Sequence, residues 1–273
     1  METSTEIASI VFAAGKGTRM EGFHGNKTLL PLVPGPSPYQ GSYPILIHIL
    51  RQLPAGPKAL VVNHESESVI AATKDFDLTY CFQPLLNGTG GALLCARDFL
   101  ESIKTPQVII TMGDVPNVRA TTYLSLAQGL EQASLVILGF RPKDKKKYGV
   151  LETQGGMVRR IIEWEYWRQY PKERQDALKI CNSGIYAAGR DDLLQYFPLL
   201  KKRPHKVRKE RNGKVLEIQE FFITDLVELM AQDGLSVRYV LARDEREVSG
   251  VDDLTGLRRA QEIFRALKNR GDT

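Results

Sequence analysis

The sequence feature that most constrains this chain is an apolar run that ends in a glycine-containing loop. Residues 10–12 (Ile-Val-Phe) predict a buried strand. Gly15 and Gly17 then allow a tight turn that leaves backbone N–H groups exposed. Arg19 and Lys27 add positive charge close to this turn. Exposed N–H groups beside cations predict a binding site for an anion, and a polyphosphate is the anion that fits best.

Three kinds of phosphate-binding loop follow a strand, and the spacing of their residues separates them. A Walker loop needs four residues between its glycines and a Gly-Lys-Ser/Thr ending, which residues 15–20 lack. The dinucleotide fingerprint needs a third glycine at position 20, where this chain has Met20. The third kind is the loop of the nucleotidyltransferases, in which Arg and Lys hold the phosphates being exchanged. Residues 13–20 (Ala-Ala-Gly-Lys-Gly-Thr-Arg-Met) fit this third kind.

Apolar runs alternate with amphipathic segments through the first half of the chain. The predicted strands are residues 10–12, 58–63, 78–82, 108–112 and 135–140, and the predicted helices are residues 45–53, 67–72, 90–100 and 121–132. This alternation predicts an α/β domain with a mostly parallel sheet that helices cover on both faces. Ligands of such sheets bind at the carboxyl ends of the strands, which is where the glycine loop and Asp114 both lie.

The composition predicts a globular protein that acts on anions. With 273 residues, 42% hydrophobic and 25% charged, the chain is long enough for one large α/β domain. No apolar run approaches the length of a membrane span, so we expect a cytoplasmic protein with no membrane partner. The net charge of +5 suits anionic substrates but indicates no nucleic acid. Cys81, Cys95 and Cys181 lack metal-ligand spacing and predict reduced core residues.

Polar residues follow two further strands of the predicted sheet. Gln83 carries a hydrogen-bond donor and an acceptor, as the recognition of a base edge such as that of uracil requires. Gly88 and Thr89 bring backbone close to a base or ribose, although a plain glycine-rich helix start is an equal alternative. Asp114 is either a turn residue or, beside a phosphate loop, a ligand of Mg²⁺, which prefers hard oxygen donors. The second interpretation of Asp114 is favoured.

Taken in order, these motifs resemble those of the sugar-1-phosphate nucleotidyltransferases, and in particular the uridylyltransferase domain that makes UDP-N-acetylglucosamine. The resemblance rests on residues 13–20, on Lys27 with Leu-Leu-Pro-Leu at 29–32, on Gly113-Asp114 and on Asn-Ser-Gly-Ile at 182–185. It implies a Rossmann-like, GT-A-like fold with a mixed, mostly parallel sheet. It also implies Mg²⁺-dependent transfer of a nucleotidyl group from an NTP, UTP favoured, to a sugar-1-phosphate, N-acetylglucosamine-1-phosphate favoured, with release of pyrophosphate.

The same resemblance implies roles for individual residues. Arg19 and Lys27 would act in catalysis, by holding the departing pyrophosphate and by stabilising charge on the α-phosphoryl group. The nucleotide would contact Ala13, Ala14, Gly15, Lys16, Gly17, Gln83, Gly88 and Thr89. The sugar would contact Gly149, Glu163 and Asn182, with Glu165 as an alternative to Glu163.

The metal site is expected at Asp114 and Asp252. Asp252 stands where the family has Asn, and an anionic oxygen is a better donor for Mg²⁺ than an amide oxygen. The alternative is that Asp252 or Asp253 caps the final predicted helix at residues 254–267.

Four segments outside these motifs carry further expectations. Residues 33–44, rich in Pro and Gly, predict an irregular loop, either a flap over the nucleotide or a surface decoration. The basic residues 201–211 predict a mobile, solvated loop rather than an arm that binds nucleic acid. Residues 220–230 predict a helix that shapes the sugar pocket. Leu86 replaces a second Gln of the family pattern, which leaves the choice of base open.

The sequence predicts a single domain over residues 1–273. A nucleotide-binding half would span residues 1–140, a sugar-binding half 141–251, and a C-terminal helix 252–270. The hexapeptide repeats of the acetyltransferase domain found in bifunctional relatives are not present in this sequence, so acetyl transfer is not expected. No motif indicates an oligomeric state.

Two other functions are weighed against uridylyl transfer. Cytidylyl or thymidylyl transfer to another sugar or polyol phosphate would use the same chemistry. A non-catalytic sensor of nucleotide sugars on the same fold is an alternative of another class, and it is disfavoured because a sensor does not need the charged residues of the reaction centre.

Overall fold

A computed structural model describes residues 6–15, 20, 22–211 and 214–269 of the chain. Its strands are β1 (Ala8–Phe12), β2 (Pro31–Ser37), β3 (Gln40–Pro44), β4 (Lys58–Val62), β5 (Thr79–Phe82), β6 (Gln107–Met112), β7 (Leu135–Phe140), β8 (Val150–Gln154), β9 (Met157–Ile162), β10 (Cys181–Gly189), β11 (His205–Arg211), β12 (Lys214–Glu220) and β13 (Val237–Leu241).

The helices lie on both sides of the sheet or at its edges. They are α1 (Ile45–Gln52), α2 (Ser66–Thr73), α3 (Gly88–Cys95), α4 (Arg97–Ser102), α5 (Ala120–Gly129), α6 (Trp164–Trp167), α7 (Lys172–Ala177), α8 (Arg190–Lys201), α9 (Thr224–Gln232) and α10 (Leu254–Asn269). Short 3₁₀ turns occur at Lys27–Leu29, Leu130–Gln132 and Glu245–Val248. Among the helices of the described residues, none is long and apolar enough to cross a lipid bilayer.

One mixed sheet organises the fold. Its strands run in the order β5-β4-β1-β6-β10-β7-β13, and the hairpin of β8 and β9 joins it through β10. Strand β10 is antiparallel to both of its neighbours, whereas β5, β4, β1 and β6 are mutually parallel and β13 is parallel to β7. The mostly parallel mixed sheet predicted from the sequence is therefore confirmed. Because β10 runs the opposite way, its first residues lie at the same edge as the carboxyl ends of its neighbours.

Both faces of the sheet are covered, as the continuous apolar strands predicted. Successive residues of β1 point to opposite faces, so Val11 packs in one hydrophobic core, while Ile10 and Phe12 pack in the other. All five residues of β1 are buried. This burial explains why the strand has no polar face in its sequence and places the glycine loop at a rigid strand end.

Two predicted helices have different limits in the structure. The helix expected at residues 90–100 is divided at Ala96 into α3 and α4. The helix expected from residue 220 begins only at Thr224, because the backbone of Phe221 is already engaged with the loop before α3. The Phe221 N–H donates to the carbonyl of Asn87 at 2.8 Å, and the Gly90 N–H donates to the carbonyl of Phe221 at 2.8 Å.

The prediction of an irregular loop at residues 33–44 is wrong, since this segment belongs to the hairpin of β2 and β3. A two-stranded hairpin consists only of edges, and an edge tolerates prolines whose missing N–H would face away from the partner strand. The hairpin is bound to the last helix: the Gln261 side chain donates to the carbonyls of Pro31 at 2.8 Å and Pro38 at 2.9 Å. The hairpin is thus held against α10, while most of its residues stay exposed or only partly buried.

The prediction of a solvated loop at residues 201–211 is also wrong. Helix α8 ends at Lys201, and residues 205–211 form β11, which pairs with β12 from His205 opposite Glu220 to Arg211 opposite Lys214. The partner strand lies beyond the basic segment, so the charge of that segment alone gave no indication of the pairing. Glu220, expected to start a helix, instead ends β12.

Candidate active site

The edge of the sheet at the carboxyl ends of the parallel strands gathers most of the predicted site residues. Ala13, Ala14 and Gly15 follow β1, Gln83 follows β5, and Asp114 lies two residues beyond β6. Ala13 and Ala14 are buried and Gly15 is exposed. The other predicted residues of this loop, Lys16, Gly17 and Arg19, lie outside the described residues. What the structure describes is the base of the loop and its surroundings.

Asn26 fixes the turn that carries Lys27. Its side-chain amide donates to the carbonyls of Ala13 and His64, both at 2.9 Å, so the turn is tied to the ends of β1 and β4. The Asn26 carbonyl oxygen accepts from the backbone N–H of Thr28 at 3.0 Å and caps the 3₁₀ turn. This buried amide explains why Lys27 has a defined position although it lies far from β1 in sequence.

Lys27 brings the two predicted metal ligands together. Its ammonium forms an ion pair with Asp114 and lies 3.2 Å from Oδ1 of Asp252. The side chains of Lys27 and Asp114 are only 14% and 13% exposed, whereas that of Asp252 is 58% exposed. Burial lowers the pKa of Lys27, but the interactions with Asp114 and Asp252 outweigh it, so the pKa lies above the ordinary value of 10.5. Lys27 is therefore a permanent cation at neutral pH.

The backbone around Asp114 explains how the two carboxylates meet. The Gly113 N–H donates to the carbonyl of Phe12 at 2.9 Å, which joins the ends of β6 and β1. A Cβ at Gly113 would lie 2.8 Å from that carbonyl oxygen, so only glycine fits here. On the other side, the Val251 N–H donates to the carbonyl of Asp114 at 2.8 Å and places the adjacent Asp252 beside the end of β6.

The helix-capping role that the sequence left open belongs to Asp253. Its side chain accepts from the Gly256 N–H at 2.7 Å, at the start of α10. Asp252 instead faces Lys27. The two neighbouring aspartates thus have separate contacts, and Asp252 is the one oriented toward Lys27 and Asp114.

The donor set at this point fits a magnesium ion. Two carboxylates from separate segments, Asp114 and Asp252, meet around one cationic atom, the Lys27 ammonium nitrogen. Mg²⁺ is commonly held by one or two carboxylates, with water and substrate phosphates completing its shell. Among the described residues, no group of three or more His, Cys, Asp or Glu side chains is placed to hold a metal ion.

A cavity of about 210 Å³ lies beside the glycine loop. Its walls include Ala14, Gly15, Gln83, Gly88 and Thr89, which are five of the residues predicted to bind the nucleotide. Leu86 and the buried Glu220 complete part of the wall. The structure therefore brings these predicted residues together around one space.

Gln83 has a structural task at this cavity. Its side chain is only 3% exposed, and its amide group donates to Oδ1 of Asn87 at 3.0 Å and to the carbonyl of Gly88 at 3.2 Å. These bonds hold the loop before α3. They occupy the amide donors and leave the side-chain carbonyl oxygen for a ligand. Thr89 likewise has an internal partner, since its hydroxyl accepts from the Ile223 N–H at 3.2 Å.

Glu163 lines a second cavity, of about 270 Å³, together with Tyr166, Thr224 and His205. The Thr224 hydroxyl donates to Oε1 of Glu163 at 3.2 Å. Burial raises the pKa of the Glu163 carboxyl above its ordinary value. Glu165, the alternative to Glu163, is exposed in the first turn of α6 and does not line this cavity.

Gly149 connects Glu163 with Asn182. A Cβ at Gly149 would lie 3.1 Å from Oε2 of Glu163, and the carbonyl of Gly149 accepts from the Asn182 N–H at 2.8 Å. The Asn182 side chain stabilises the irregular start of β10, because its amide donates to the Tyr186 hydroxyl at 2.8 Å and its carbonyl accepts from the Gly184 N–H at 3.0 Å. The three residues predicted to hold the sugar are thus neighbours.

Comparisons with known proteins agree with this arrangement. The family model of the MobA-like NTP transferase domain matches residues 9–202. The bifunctional protein GlmU of Ruegeria sp. (strain TM1040) is 33% identical over 265 residues, covering 95% of this chain and 53% of its own length. GlmU of Ruegeria pomeroyi is 32% identical over 262 residues, covering 94% of this chain and 52% of its own length.

This chain belongs to the family of MobA-like NTP transferase domains. It spans about half the length of the curated relatives it matches. A solved structure with the same fold is that of a Bacillus anthracis protein assigned as a glucose-1-phosphate thymidylyltransferase, in complex with sucrose. It superposes with a TM-score of 0.65 at 19% identity and covers 95% of both chains. The resemblance found in the sequence is confirmed at the level of a nucleotidyltransferase and its fold.

Several residues that support the site of this MobA-like NTP transferase domain were missed in the sequence. Asn26 carries no motif beyond its place before Lys27. Glu247 is buried, accepts from the Thr122 hydroxyl and from the Arg119 N–H at 3.2 Å, and so anchors the 3₁₀ turn that leads to Asp252. The only sequence indication for Glu247 was a charged residue close to the Gly-Val-Asp segment.

A second missed group lies in the cavity of Glu163. Nε2 of His205 is 2.7 Å from Oδ2 of Asp225, and the His205 ring packs against Phe222 with centroids 4.6 Å apart. His205 comes from β11, and the other two residues follow β12, so the hairpin of this NTP transferase domain supplies a wall of the cavity. No pattern in the sequence indicated that the basic segment would reach this site.

Proposed function

We propose that this MobA-like NTP transferase domain transfers a nucleotidyl group from an NTP, UTP favoured, to a sugar-1-phosphate, N-acetylglucosamine-1-phosphate favoured, and releases pyrophosphate. The observation that carries the proposal is the position of Lys27 between Asp114 and Asp252 at the carboxyl edge of the sheet. A cation and two carboxylates in one place, next to a glycine loop, form a site for the exchange of phosphate groups.

The reaction requires positioning and charge rather than a covalent nucleophile. An oxygen of the acceptor phosphate would attack the α-phosphorus in line, and the bond to pyrophosphate would break. Lys27, kept protonated by its carboxylate partners, would stabilise the negative charge that develops on the α-phosphoryl group. Arg19, with Lys16 and Gly17, is proposed to hold the departing pyrophosphate.

Asp114 and Asp252 are the residues proposed to hold Mg²⁺. When bound, Mg²⁺ would supply neutralisation of the phosphate charge of both substrates. Asp114 is the more buried of the two and is fixed through backbone contacts on both sides, whereas Asp252 is more exposed. We therefore assign the orienting part of the site to Asp114.

The preference for uracil is supported by the Gln83 side chain. Because its amide donors already bind Asn87 and Gly88, its remaining group is a carbonyl oxygen, which accepts a hydrogen bond. Uracil and thymine both present an N3–H donor, whereas N3 of cytosine is an acceptor. With N3 of the base facing Gln83, this oxygen favours uridylyl or thymidylyl transfer over cytidylyl transfer, since the donor of cytosine, its 4-amino group, lies at another position on the ring. Leu86 provides an apolar wall for the base.

The preference for an acetamido sugar rests on Glu163, which lines the second cavity, and on its neighbours Gly149 and Asn182. Glu163 offers an acceptor for sugar hydroxyl groups, and Gly149 allows close approach of the backbone. Asn182 lies next to Gly149. A glutamate that accepts sugar hydroxyls and an amide that pairs with an acetamido group match N-acetylglucosamine-1-phosphate.

The test is the release of pyrophosphate from ATP, GTP, CTP, UTP and dTTP against a panel of sugar-1-phosphates, with and without Mg²⁺. We expect Mg²⁺-dependent release with UTP and N-acetylglucosamine-1-phosphate, and its loss in Asp114→Asn. Asp75→Asn, at an exposed aspartate away from the site, is the matched control and should keep full activity. Release with another pair would replace the substrates and keep the chemistry. Silence across the panel, with nucleotide still bound, would refute the proposed transfer.

A further inference from the structure

A wide recess lies beside Asp252, and the residues directly before Gly149 form part of its wall. It has a volume of about 580 Å³, and its walls come from residues 146–148, from residues 249–253 and from the first turns of α10 as far as Arg259. A neighbouring cavity of about 360 Å³ shares Lys146, Tyr148, Ser249 and Arg259 with it. We call the space lined by Lys146, Lys147 and Arg259 the cationic recess.

The carboxylates of the cationic recess are already engaged. Asp253 accepts from the Gly256 N–H at 2.7 Å, and Asp252 forms its ion pair with Lys27. In the neighbouring cavity, Asp144 accepts from the Lys146 N–H at 2.9 Å, and Glu245 accepts from the Lys143 N–H at 3.0 Å. These hydrogen bonds leave the negative charges in place, so the recess has three cations against Asp253 and the Lys27-paired Asp252.

The positively charged side chains of the recess lack ion-pair partners among the described residues. Within the part of the chain that the structure describes, neither the Lys146 ammonium nor the Arg259 guanidinium has a carboxylate within ion-pair distance. The Lys147 ammonium lies over the Trp164 ring, 5.0 Å from its centroid. The three cations come from two distant segments and line one concave space. An excess of positive charge in a concave site attracts anions.

The backbone fixes the position of Lys146. Its φ is +44°, in the left-handed region that side chains other than glycine rarely adopt. The hydrogen bond from its N–H to the Asp144 carboxylate holds this turn. Lys146 and Lys147 are therefore presented by a constrained turn directly before Tyr148 and Gly149.

Tyr148 joins the cationic recess to the reaction centre. Burial raises the pKa of its phenol, the nearby charges of Asp252 and Asp114 raise it further, and the charge of Arg259 opposes them. The hydroxyl is thus within electrostatic reach of both metal-site carboxylates and of Arg259. An anion in the recess would be close to the phosphates that undergo exchange.

We propose that the cationic recess is an anion subsite that binds a phosphate group through Arg259 and Lys146. The phosphate belongs either to the departing pyrophosphate or to the acceptor. The place of this subsite in the reaction rests on the proposed function, but its ability to bind phosphate does not.

Binding is tested by calorimetric titration of the whole chain with inorganic pyrophosphate and, separately, with inorganic phosphate. Arg259→Ala should weaken the binding of at least one of the two anions about tenfold, as expected for the loss of a charged contact, and Lys146→Ala should weaken the same anion. Arg258→Ala is the matched control, because Arg258 is exposed on the same helix and does not line the recess. Arg259→Lys should keep much of the affinity, which separates loss of charge from loss of fold.

Kinetics then distinguish the two sources of the phosphate. A rise in the KM for pyrophosphate in the reverse reaction, at an unchanged acceptor KM, assigns the subsite to the departing group. A rise in the acceptor KM alone assigns it to the acceptor phosphate. If Arg259→Ala and Arg258→Ala bind both anions equally and have equal KM values, the subsite does not exist. If the wild-type chain turns over no substrate pair but Arg259→Ala still loses anion binding, the proposed function fails and the subsite stands.

Discussion

The proposed nucleotide side and the proposed acceptor side of this molecule are built in different ways. On this side, Gly15, Gln83 and Asp114 each lie within three residues of the end of a parallel strand, so strand order alone brings them to one edge. On the acceptor side, Glu163 follows a hairpin, Asn182 begins an antiparallel strand, and His205 belongs to a separate hairpin. The first site is a consequence of topology, and the second depends on contacts between segments distant in sequence.

The difference shows which part of such an enzyme is free to change. Parallel strands hold their carboxyl ends in place through a core that is buried on both faces, so the phosphate chemistry has a fixed location. The cavity of Glu163, the proposed acceptor site, is enclosed by hairpins and short helices at the border of the sheet, where insertions disturb the core least. We infer that nucleotide chemistry is determined by the sheet and that acceptor choice is determined by its additions. Four measurements test this contrast.

The largest effect is expected where the two sides meet, at Lys27. Lys27→Ala removes the cation that contacts Asp114 from one side and Asp252 from the other, and we expect kcat to fall on the order of a hundredfold or more. Lys104→Ala, at an exposed lysine, is the control. Steady-state assays of pyrophosphate release make the measurement. An unchanged kcat would remove Lys27 from the mechanism and leave the two sides without a common catalytic group.

The next effect concerns the close backbone contact between Gly88 and Phe221, which joins the two sides. Gly88 has φ +91°, and a Cβ there would collide with the carbonyl oxygen of Phe221, which follows β12. Gly88→Ala should therefore lower the free energy of unfolding by about 3 kcal/mol. Gly155, with φ +59° and open space around it, is the control for strain without collision. Denaturant unfolding of both variants makes the comparison, and equal losses would show that the contact between the sides has no energetic importance.

The third effect is a pH dependence of the free energy of unfolding, which arises at the contact between α1 and α10. His48 is 4% exposed and lies 5.1 Å from the Phe264 ring, and burial, followed by the charge of Arg51, lowers its pKa to about 4 from 6.5. As the pH falls below 6.5, His48 becomes protonated in the unfolded chain while it stays neutral in the folded chain. The free energy of unfolding therefore has its full value above pH 6.5 and decreases toward pH 4. By pH 5 the loss amounts to about 2 kcal/mol.

Thermal unfolding between pH 7 and pH 5 measures this loss. His48→Leu should flatten the dependence on pH, because it removes the titrating group and keeps an apolar side chain of similar reach. His24→Leu, at an exposed histidine, should leave the slope of the wild type unchanged. A slope that persists in His48→Leu would place the acid sensitivity elsewhere.

The smallest effect is a change in a single Michaelis constant, and it tests most directly whether the two sides bind their substrates independently. Glu163→Gln should raise the acceptor KM about tenfold, the size expected for a weakened charged hydrogen bond, and leave the KM for the NTP unchanged. Glu165→Gln, at an exposed position two residues away, should change neither constant. Equal increases in both KM values for Glu163→Gln would mean that the two sides do not act separately.

The strand ends on the proposed nucleotide side could be predicted from the sequence for a physical reason. A strand that is buried on both faces has a continuous apolar sequence, which can be recognised locally. The residues that follow such a strand lie at the ligand-binding edge of the sheet, independently of the rest of the chain. The strand ends at Phe12, Phe82 and Met112 were therefore all recognisable from local patterns. Aspartates 252 and 253 could not be separated in this way, because the choice between them depends on the start of α10 and on a lysine far away in sequence.

The acceptor side was predicted less well because its elements depend on pairing. Residues 201–211 carry charges that argue against a strand in isolation, and residues 33–44, outside the acceptor side, carry prolines that do the same, yet each segment finds a partner strand. Pairing satisfies the backbone hydrogen bonds of a segment whose own composition is unfavourable, and this gain is visible only when both partners are known. The start of α9 was misplaced for the same reason, since Phe221 bonds to the loop before α3.

The separation of 225 residues between Lys27 and Asp252 has a consequence for synthesis. A growing chain on the ribosome completes the parallel strands of the nucleotide side long before Asp252 emerges. Until then the ammonium of Lys27 has only one of its two carboxylates, and α10 cannot bind the early hairpin of β2 and β3 through Gln261. Nascent chains shorter than this point would carry a phosphate loop without a complete reaction centre, so activity on the ribosome would begin late and abruptly.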